Sequence, residues 1–319
     1  MSKTMTEKVY YINQLEKGQV LDGELFGLTQ IKRANDRNNK PYLDLEMVDK
    51  TGSIKAKVWS DSLDRIENSA LEEGQVISVN GIVSEFNGTA QLTVQSIASV
   101  KNYDIGNFVM SSSKDIDELW NDLSTRVKKI KSTELKTILE KLLSTYKDEI
   151  KKSPAARGMH HHFIGGLLEH VIEMLKIADS VTELYPEADP DMVTAGIIFH
   201  DIGKIKEYAV DGFQIVHTKE GKLIGHIVIG IQMLNNLNTD ILSEETRLRL
   251  SHIILSHHTI KEFGSPVTPV TIEAMIVAKI DDLSAKVRLV QKVLENNKDS
   301  NSVFAKREFG IEGEIYLGE

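Results

Sequence analysis

The stretch "GIIFHDIGKI", residues 196–205, places the charged pair His200-Asp201 at the end of an apolar run. Apolar runs are usually buried, and a buried carboxylate is costly unless an opposite charge or hydrogen bonds compensate for it. All ten histidines of the chain lie after residue 159. This concentration indicates a metal site in the second half, because imidazole and carboxylate ligands without sulfur suit Mn²⁺, Fe²⁺, Zn²⁺ or Mg²⁺.

Imidazoles and carboxylates from several predicted helices could meet in one cleft. The candidate metal ligands are His170, His200, Asp201, His226, His257, His258 and Asp281. One carboxylate can bridge two metal ions about 3.5–4 Å apart, as in two-metal hydrolases. Two cations of this kind would make an ionised Asp201 favourable in a buried place. The spacing leaves open whether Asp281 or Asp282 is the ligand, and the apolar neighbours of Asp281 favour it.

Each of these residues also has a plain structural interpretation. The dipeptide His200-Asp201 is common by chance, and one of His257 and His258 could cap a helix or contact substrate instead of binding metal. His252 is interpreted as a structural residue, and His217 as an exposed residue of a loop or hairpin. Lys204 could be a cation that satisfies carbonyl groups at a helix end. The order of the whole set favours the metal interpretation.

The chain up to about residue 103 has the alternating pattern of strands. In "KPYLDLEMVD" the apolar side chains Leu43, Leu45 and Met47 share one face, and "GSIKAKVW" alternates in the same way. Turn signals stand at "DKTG" and at Asn87-Gly88, and a short helix is predicted near residues 61–68. Five strands with one small helix before the fourth predict an OB-type β-barrel.

The outward face of these strands carries Tyr42, Lys55, Lys57 and Trp59. Aromatic rings interleaved with lysines suit single-stranded nucleic acid, because bases stack on rings while cations follow phosphates. Further cations, Lys32, Arg33, Arg37 and Lys40, lie in or near the predicted loop between the first two strands. The alternatives are an ordinary solvated strand face, or a Trp59 that packs on the second domain.

From about residue 113 the apolar spacing becomes helical. The predicted division is a barrel domain at 1–108, a helical connector at 109–155 and a metal-binding helical domain with a C-terminal tail at 156–319. Beyond the amphipathic stretch at 113–151, helices are predicted near 162–185, 190–200, 222–238, 244–258 and 269–297. The fold class is therefore multidomain α+β, with an all-α second half.

Composition limits the class of protein. The chain has 319 residues and a net charge of −9, so a passive nucleic-acid coat is not expected. With no cysteine, thiol nucleophiles and thiolate metal sites are excluded, and a cytoplasmic location is expected. We expect no membrane span and no signal peptide, since no apolar run has the required length.

The ordered motifs resemble the HD-domain phosphohydrolase superfamily. The segments "HHHFIGGLLEH", "FHDIGKIKEY", "GKLIGHIVIG", "ILSHHTIKEFGSP" and "EAMIVAKIDDLSAK" are similar to those of the YhaM-type 3′-5′ exoribonucleases, which also carry an OB-type domain ahead of the HD domain. The resemblance covers roughly residues 10 to 315.

This resemblance implies roles for individual residues. One metal ion would be held by His170, His200, Asp201 and Asp281, and a second by Asp201, His226 and His257, with His258 as a further candidate. The catalytic residues would be Asp201 and Lys204, with Lys204 facing the substrate phosphate. Arg157 and His161 are candidates for phosphate contact. Two divalent cations are expected, with Mn²⁺ favoured over Fe²⁺, Mg²⁺, Zn²⁺ or Co²⁺.

The function that follows is metal-dependent hydrolysis of phosphodiester bonds. A metal-bound hydroxide would attack phosphorus in line and release 5′-mononucleotides from single-stranded RNA, with single-stranded DNA as a further substrate. The 3′-to-5′ direction and the RNA preference come from the resemblance alone. The alternatives are a phosphohydrolase of free nucleotides or cyclic dinucleotides, and a non-catalytic RNA-binding module. The amphipathic stretch at 113–151 makes a homo-oligomer a further expectation.

Overall fold

The computed structural model describes residues 6–86, 89–109, 112, 114–155, 163–297, 302–305, 311 and 313–318. These residues form two compact units. The first comprises the described residues up to 109 together with 210–214 and 302, and the second comprises the remaining described residues. The first unit is built on a β-barrel and the second on α-helices. This architecture confirms the predicted fold class of a barrel followed by a helical half.

The barrel closes in the strand order β1-β2-β3-β5-β4. Its strands are β1 Val20–Asn35, β2 Pro41–Asp49, β3 Gly52–Val58, β4 Val76–Phe86 and β5 Thr89–Ser99. All neighbours are antiparallel except β3 and β5, which run parallel. Full closure removes the exposed edge that an open sheet would present to other strands.

Side-chain alternation fills the barrel as predicted. Leu43, Leu45 and Met47 of β2 are buried in its core, together with the alternating apolar residues of β3. Two short 3₁₀ turns, Leu63–Arg65 and Asn68–Ala70, stand where a small helix was predicted before the fourth strand. The predicted turn at Asn87-Gly88 lies outside the described residues, and the flanking pair Phe86 and Thr89 is in register.

The chain after the barrel contains ten described α-helices and one short β-hairpin, and residues 210–214 of that hairpin belong to the first unit. The helices are α1 Ile116–Lys129, α2 Thr133–Thr145, α3 Lys147–Lys152, α4 Gly166–Leu184, α5 Pro190–His200, α6 Lys204–Glu207, α7 Lys219–Ile224, α8 His226–Leu237, α9 Glu244–Ser256 and α10 Ile272–Asn296. The hairpin strands are β6 Tyr208–Asp211 and β7 Gln214–His217. Among the described helices, none is long and apolar enough to cross a bilayer.

One apolar core joins the first three helices to the later ones. Leu123 and Leu139 are buried in the same cluster as Leu168, Ile198 and Ile254. The predicted domain limits at residues 108 and 155 stay a prediction, and the connector helices share their core with the helices that follow.

Two predicted helical stretches are interrupted in the structure. The stretch at 113–151 holds three helices. The second of them, α2, starts where the Ser132 hydroxyl accepts the Leu135 N–H. The stretch at 222–238 is broken at Gly225, whose φ of 78° suits glycine, so that α8 begins at His226. The break puts a histidine on the first turn of a helix.

Helix α5 delivers the His200-Asp201 pair through defined ends. The Asp189 side chain caps its first turn, Pro190 occupies the first helical position, and His200 is its last residue. Gly203 follows the end of this helix with a φ of −60°, so its backbone conformation does not require glycine. Its lack of a side chain serves a different purpose, since a Cβ there would lie 2.0 Å from the His226 carbonyl oxygen.

Candidate metal centre

Seven side chains from different helices form two neighbouring groups in the helical unit. The first group is His170 from α4, His200 from α5 and Asp281 from α10. The second is Asp201, His226, His257 and His258, which lie at the ends of α5, α8 and α9. Within each group, one ligand atom per residue lies within 4.8 Å of those of the others.

The first group gathers around one oxygen of Asp281. Its Oδ1 atom lies 3.2 Å from His170 Nε2 and 3.9 Å from His200 Nε2. The neighbouring Asp282 turns away and forms an ion pair with Lys286 at 2.9 Å. Of the two carboxylates that spacing left open, the structure therefore brings Asp281 to the histidines. Its role as a ligand stays a prediction.

The Asp201 carboxylate lies between the two groups. Its Oδ2 atom is 3.2 Å from His200 Nε2, while its Oδ1 atom is 3.5 Å from His226 Nε2 and 3.6 Å from His257 Nε2. Each oxygen thus faces a different set of imidazoles. A carboxylate so placed can donate one oxygen to each of two cations.

Four of the imidazoles present Nε2 to the centre and hold Nδ1 elsewhere. His200 Nδ1 lies 2.7 Å from the Ile197 carbonyl oxygen, and His257 Nδ1 lies 2.8 Å from that of Ile254. His226 Nδ1 lies 3.2 Å from Glu207, and the fourth, on His170, faces a serine. Donation from Nδ1 fixes the ring and leaves the Nε2 lone pair for a metal ion.

The inner atoms lack the partners that buried polar atoms normally have. Within the described part of the chain, His200 Nε2, Asp201 Oδ1, His226 Nε2 and His257 Nε2 are buried without a hydrogen bond. An unpaired buried donor or acceptor costs about 1–3 kcal/mol. Four such atoms converging from three helices fit a divalent cation, which accepts nitrogen and oxygen lone pairs together.

The electrostatic environment keeps both carboxylates ionised. Burial raises the pKa of Asp201, but the charges of Lys204 and His200 outweigh burial and hold that pKa well below its usual range. Burial also raises the pKa of Asp281, and its hydrogen bond with His170 reverses the shift, so that this pKa is low as well. Deprotonated oxygens are the form that binds metal.

His257 is kept neutral for the same purpose. Burial lowers the pKa of its imidazole well below the usual range, and the neighbouring His258 and His200 lower it further. A neutral imidazole retains the lone pair that coordinates a metal ion.

Lys204 lies against the centre through Asp201. Its Nζ atom is 2.6 Å from Asp201 Oδ2, and its side chain is largely buried. The ammonium therefore compensates the negative charge of the buried Asp201 carboxylate. The predicted contact of Lys204 with a substrate phosphate stays a prediction.

His258 is held by an unusual turn. Its ring centroid lies 4.1 Å from that of His257 and 5.2 Å from that of His226. The next residue, Thr259, has a φ of +68°, which is rare for a β-branched side chain. The buried Ser265 hydroxyl accepts the His258 N–H at 3.0 Å and ties the turn down.

The other predicted residues of this half fall elsewhere or outside the described part. His252 Nε2 accepts the Val270 N–H at 3.0 Å, which suits the structural interpretation. His217 lies in a hairpin as predicted, on β7 beside the Tyr208 ring, but it is half-buried and not exposed. Arg157 and His161 lie outside the described residues, and their predicted phosphate contacts stay predictions.

The predicted nucleic-acid face of the barrel is partly assembled. The rings of Tyr42 and Trp59 lie 5.3 Å apart, and the Lys57 ammonium lies 4.6 Å from the Tyr42 ring centre. Lys55 is exposed two residues before Lys57 on the same strand. The further cations are all exposed, with Lys32 and Arg33 at the end of β1 and Arg37 and Lys40 in the loop before β2. We call Tyr42, Lys55, Lys57 and Trp59 the aromatic-lysine face.

Sequence reasoning missed the residues behind the ligands. Glu207 is buried and supports His226, and Ser284 is buried and contacts His170. The one sequence signal for Ser284 is its position three residues after Asp281, which puts both on neighbouring turns of one helix. Glu207 stands six residues after Asp201 with no periodic relation to it.

Comparison with known proteins supports the same division. Residues 23–100 match the family of the OB-fold nucleic acid binding domain, and residues 167–286 match the HD domain. The barrel is therefore a nucleic-acid-binding domain, and the helical unit carries a domain that binds divalent metal ions. The chain also shares 19% identity with a solved structure of the second OB-fold domain of replication protein A from Methanococcus maripaludis. That match covers 29% of this chain and 95% of the other, at a TM-score of 0.24.

Curated relatives match along nearly the whole length. The chain is 33% identical over 285 residues to the 3′-5′ exoribonuclease YhaM of Listeria innocua, covering 88% of this chain and 89% of that protein. It is 34% identical over 282 residues to YhaM of Shouchella clausii, covering 87% of each chain. It is 32% identical over 303 residues to YhaM of Oceanobacillus iheyensis, covering 94% of each chain. At this identity and coverage, the chain belongs to the family of the 3′-5′ exoribonuclease YhaM.

Proposed function

We propose that this protein is a metal-dependent 3′-5′ exoribonuclease that hydrolyses phosphodiester bonds in single-stranded RNA and releases 5′-mononucleotides. The observation that carries the proposal is the Asp201 carboxylate, whose two oxygens face two separate groups of imidazoles. The direction of digestion and the RNA substrate come from the printed names of the relatives.

The donor set is suited to two divalent cations. His170, His200, Asp201 and Asp281 would hold one, and Asp201, His226, His257 and His258 would hold the other. Such a pair supplies Lewis acidity at the phosphoryl oxygens and lowers the pKa of a bound water. Neutral imidazole and carboxylate ligands without sulfur favour Mn²⁺, with Fe²⁺, Co²⁺, Mg²⁺ and Zn²⁺ as competitors.

The side chains around the centre have separate tasks. The buried Asp201 carboxylate stays ionised and keeps its oxygens aimed at the two groups of donors. Lys204 brings a compact cation to the edge of the centre, where its ammonium can bind a non-bridging phosphate oxygen. The Nδ1 contacts of the histidines keep the imidazoles in the tautomer that presents Nε2.

The aromatic-lysine face is suited to the upstream part of the strand. Bases stack on exposed rings with little dependence on sequence, and cations beside the rings follow the phosphates. Trp59 is 39% exposed, enough for one ring face to meet a base. A single-stranded RNA is the proposed partner, and a cytoplasmic location and a homo-oligomer remain proposals from the sequence.

The decisive experiment compares two adjacent carboxylates. Asp281→Asn and Asp282→Asn change neighbouring residues identically, but only Asp281 contacts the histidines, while Asp282 pairs with Lys286. With Mn²⁺ and single-stranded RNA labelled at either end, we expect Asp281→Asn to abolish release of mononucleotides and Asp282→Asn to retain it.

Two outcomes would contradict the proposal. Equal activity of the two variants would show that the metal centre does not take part in the reaction. Rapid turnover of free nucleotides or cyclic dinucleotides, with intact RNA, would instead indicate a phosphohydrolase of small molecules. A 5′-labelled substrate that shortens stepwise, with mononucleotide as the first product, is the result expected of digestion from the 3′ end.

A further inference from the structure

The back nitrogen of His170 is held differently from those of its neighbours. His200 and His257 use backbone carbonyls, and His226 uses a carboxylate. His170 Nδ1 instead lies 3.2 Å from the hydroxyl of Ser284 on α10, a residue that is 1% exposed. A side chain from another helix therefore contacts the back nitrogen of this ring, where the other histidines use a carbonyl or a carboxylate.

The direction of that hydrogen bond follows from the next partner. The Ser284 hydroxyl donates its one hydrogen to Glu173 Oε1 at 3.0 Å, because a carboxylate can only accept. The hydroxyl oxygen then offers a lone pair to His170, and His170 must donate from Nδ1. Nε2 faces Asp281 and the first group of donors, and a bound metal ion would take the place of the proton that Nε2 shares with Asp281.

Arginine holds the far end of this chain of hydrogen bonds. Arg288 Nε donates to Glu173 Oε2 at 2.8 Å, and its Nη2 atom donates to the buried Glu169 at 3.2 Å. Glu169 also accepts from Ser112 at 2.6 Å and pairs with Lys114 at 2.9 Å. Because Arg288 holds Oε2 of Glu173, the other oxygen, Oε1, is a fixed acceptor for Ser284.

Helices α4 and α10 each contribute one inner and one outer residue at the same spacing. On α4, His170 is followed three residues later by Glu173, and on α10, Asp281 is followed three residues later by Ser284. Residues three apart lie on one face of a helix. The two helices thus present their metal-centre residues and the supporting hydrogen bonds on facing turns.

We propose that Ser284, Glu173 and Arg288 are positioning residues that hold His170 in the Nδ1–H form and thereby set the divalent-cation affinity of the first donor group. This inference rests on the proposed metal centre. One site of the pair depends on this serine relay, whereas the second site does not.

The alternative is that these residues only stabilise the packing of α4 against α10. Ser284→Ala separates the two interpretations, because it removes the acceptor of His170 and leaves the Arg288 contacts with Glu173 and Glu169 in place. A role in helix packing alone predicts little change in metal affinity. A positioning role predicts a loss of affinity confined to one class of site.

The test uses the full-length protein and four variants. Mn²⁺ binding is titrated by calorimetry and by the paramagnetic resonance of free Mn²⁺, and imidazole N–H signals are observed by ¹⁵N NMR without metal and with Zn²⁺. Ser284→Ala is compared with Ser124→Ala, which removes a helix hydroxyl that donates only to the Trp120 carbonyl. Ser284→Thr keeps the hydroxyl, and Glu173→Gln removes the charge behind it.

We expect Ser284→Ala to weaken one class of Mn²⁺ site by about 10–100-fold, the usual effect of losing an outer hydrogen-bond partner. The His170 Nδ1–H signal should disappear, the other class of site should keep its affinity, and thermal unfolding should change little. Ser284→Thr should restore most of the affinity, Glu173→Gln should show a smaller loss, and Ser124→Ala should match the wild type.

Unchanged Mn²⁺ affinity in Ser284→Ala would overturn the inference, and so would a His170 Nδ1–H signal that persists in this variant. If the wild type bound no divalent metal, the proposed function would fail. The NMR comparison without metal would still decide whether Ser284 holds the His170 proton.

Discussion

The metal centre and the aromatic-lysine face differ in how firmly their functional atoms are held. In the centre, four imidazoles have their back nitrogens within 2.7–3.2 Å of an oxygen acceptor. On the barrel face, Tyr42, Lys57 and Trp59 lie 4.6–5.4 Å from one another by ring and ammonium contacts, and Trp59 is exposed. Chemistry requires atoms fixed in advance, whereas stacking of successive bases tolerates movement.

The largest effect is expected from the carboxylate between the two donor groups. Asp201→Asn should lower RNA hydrolysis by about 10²–10³-fold or more, because one pre-organised electrostatic contact is worth that much in other active sites. Metal content measured after dialysis should fall with it. The matched change on the barrel, Asp44→Asn opposite Lys57, should leave turnover near that of the wild type. Equal losses would erase the proposed difference between the two regions.

A backbone contact in the centre should be the next most sensitive. Gly203→Ala would put a Cβ 2.0 Å from the His226 carbonyl oxygen, so the turn must shift, at a cost of about 1–3 kcal/mol in unfolding free energy. Gly230→Ala meets its nearest neighbour at 3.4 Å and should be neutral, or stabilising by up to about 1 kcal/mol inside a helix. Denaturant unfolding with Mn²⁺ titration measures both. A neutral Gly203→Ala would show that the approach of α8 is loose.

The barrel face should respond less strongly, and in substrate binding alone. Trp59→Ala and Tyr42→Ala should each weaken binding of a long single strand by about 1 kcal/mol, the lower end for base stacking on a ring. KM should rise severalfold while kcat at saturation stays constant, and a dinucleotide, which lacks the upstream part of the strand, should be turned over normally. A drop in kcat would mean that the face contributes to chemistry.

The smallest effect is expected from the exposed cations at the end of β1 and in the loop that follows it. Each of Lys32, Arg33 and Arg37 that contacts a phosphate should contribute about 0.7 to the slope of log affinity against log salt for a single strand. The triple alanine variant should therefore bind RNA with a shallower salt dependence between 50 and 200 mM, concentrations over which such contacts weaken. An unchanged slope would place the path of the strand elsewhere.

The sequence identified the candidate donors more readily than the residues that support them. The seven donors could be selected because their residue types and order are unusual in apolar helices, and the structure brings them into two groups. Ser284 and Glu207 could not, since serine and glutamate are frequent on helices and their partners depend on which helices pack together. The same limit explains why the barrel faces were predicted from alternation, while the break at Gly225 was not.

Helix ends supply the acceptors for two of the central histidines. His200 is the last residue of α5 and His257 follows the last residue of α9, and each donates to the carbonyl three residues earlier. Such carbonyls lack a helical partner in any sequence, so their availability is independent of side-chain identity. Neutral drift in the surrounding residues can thus proceed without disturbing these two rings, but an insertion or deletion of one residue within 197–200 or 254–257 would rotate the imidazole by roughly 100°, one helical step. The family should therefore vary in composition here far more readily than in length.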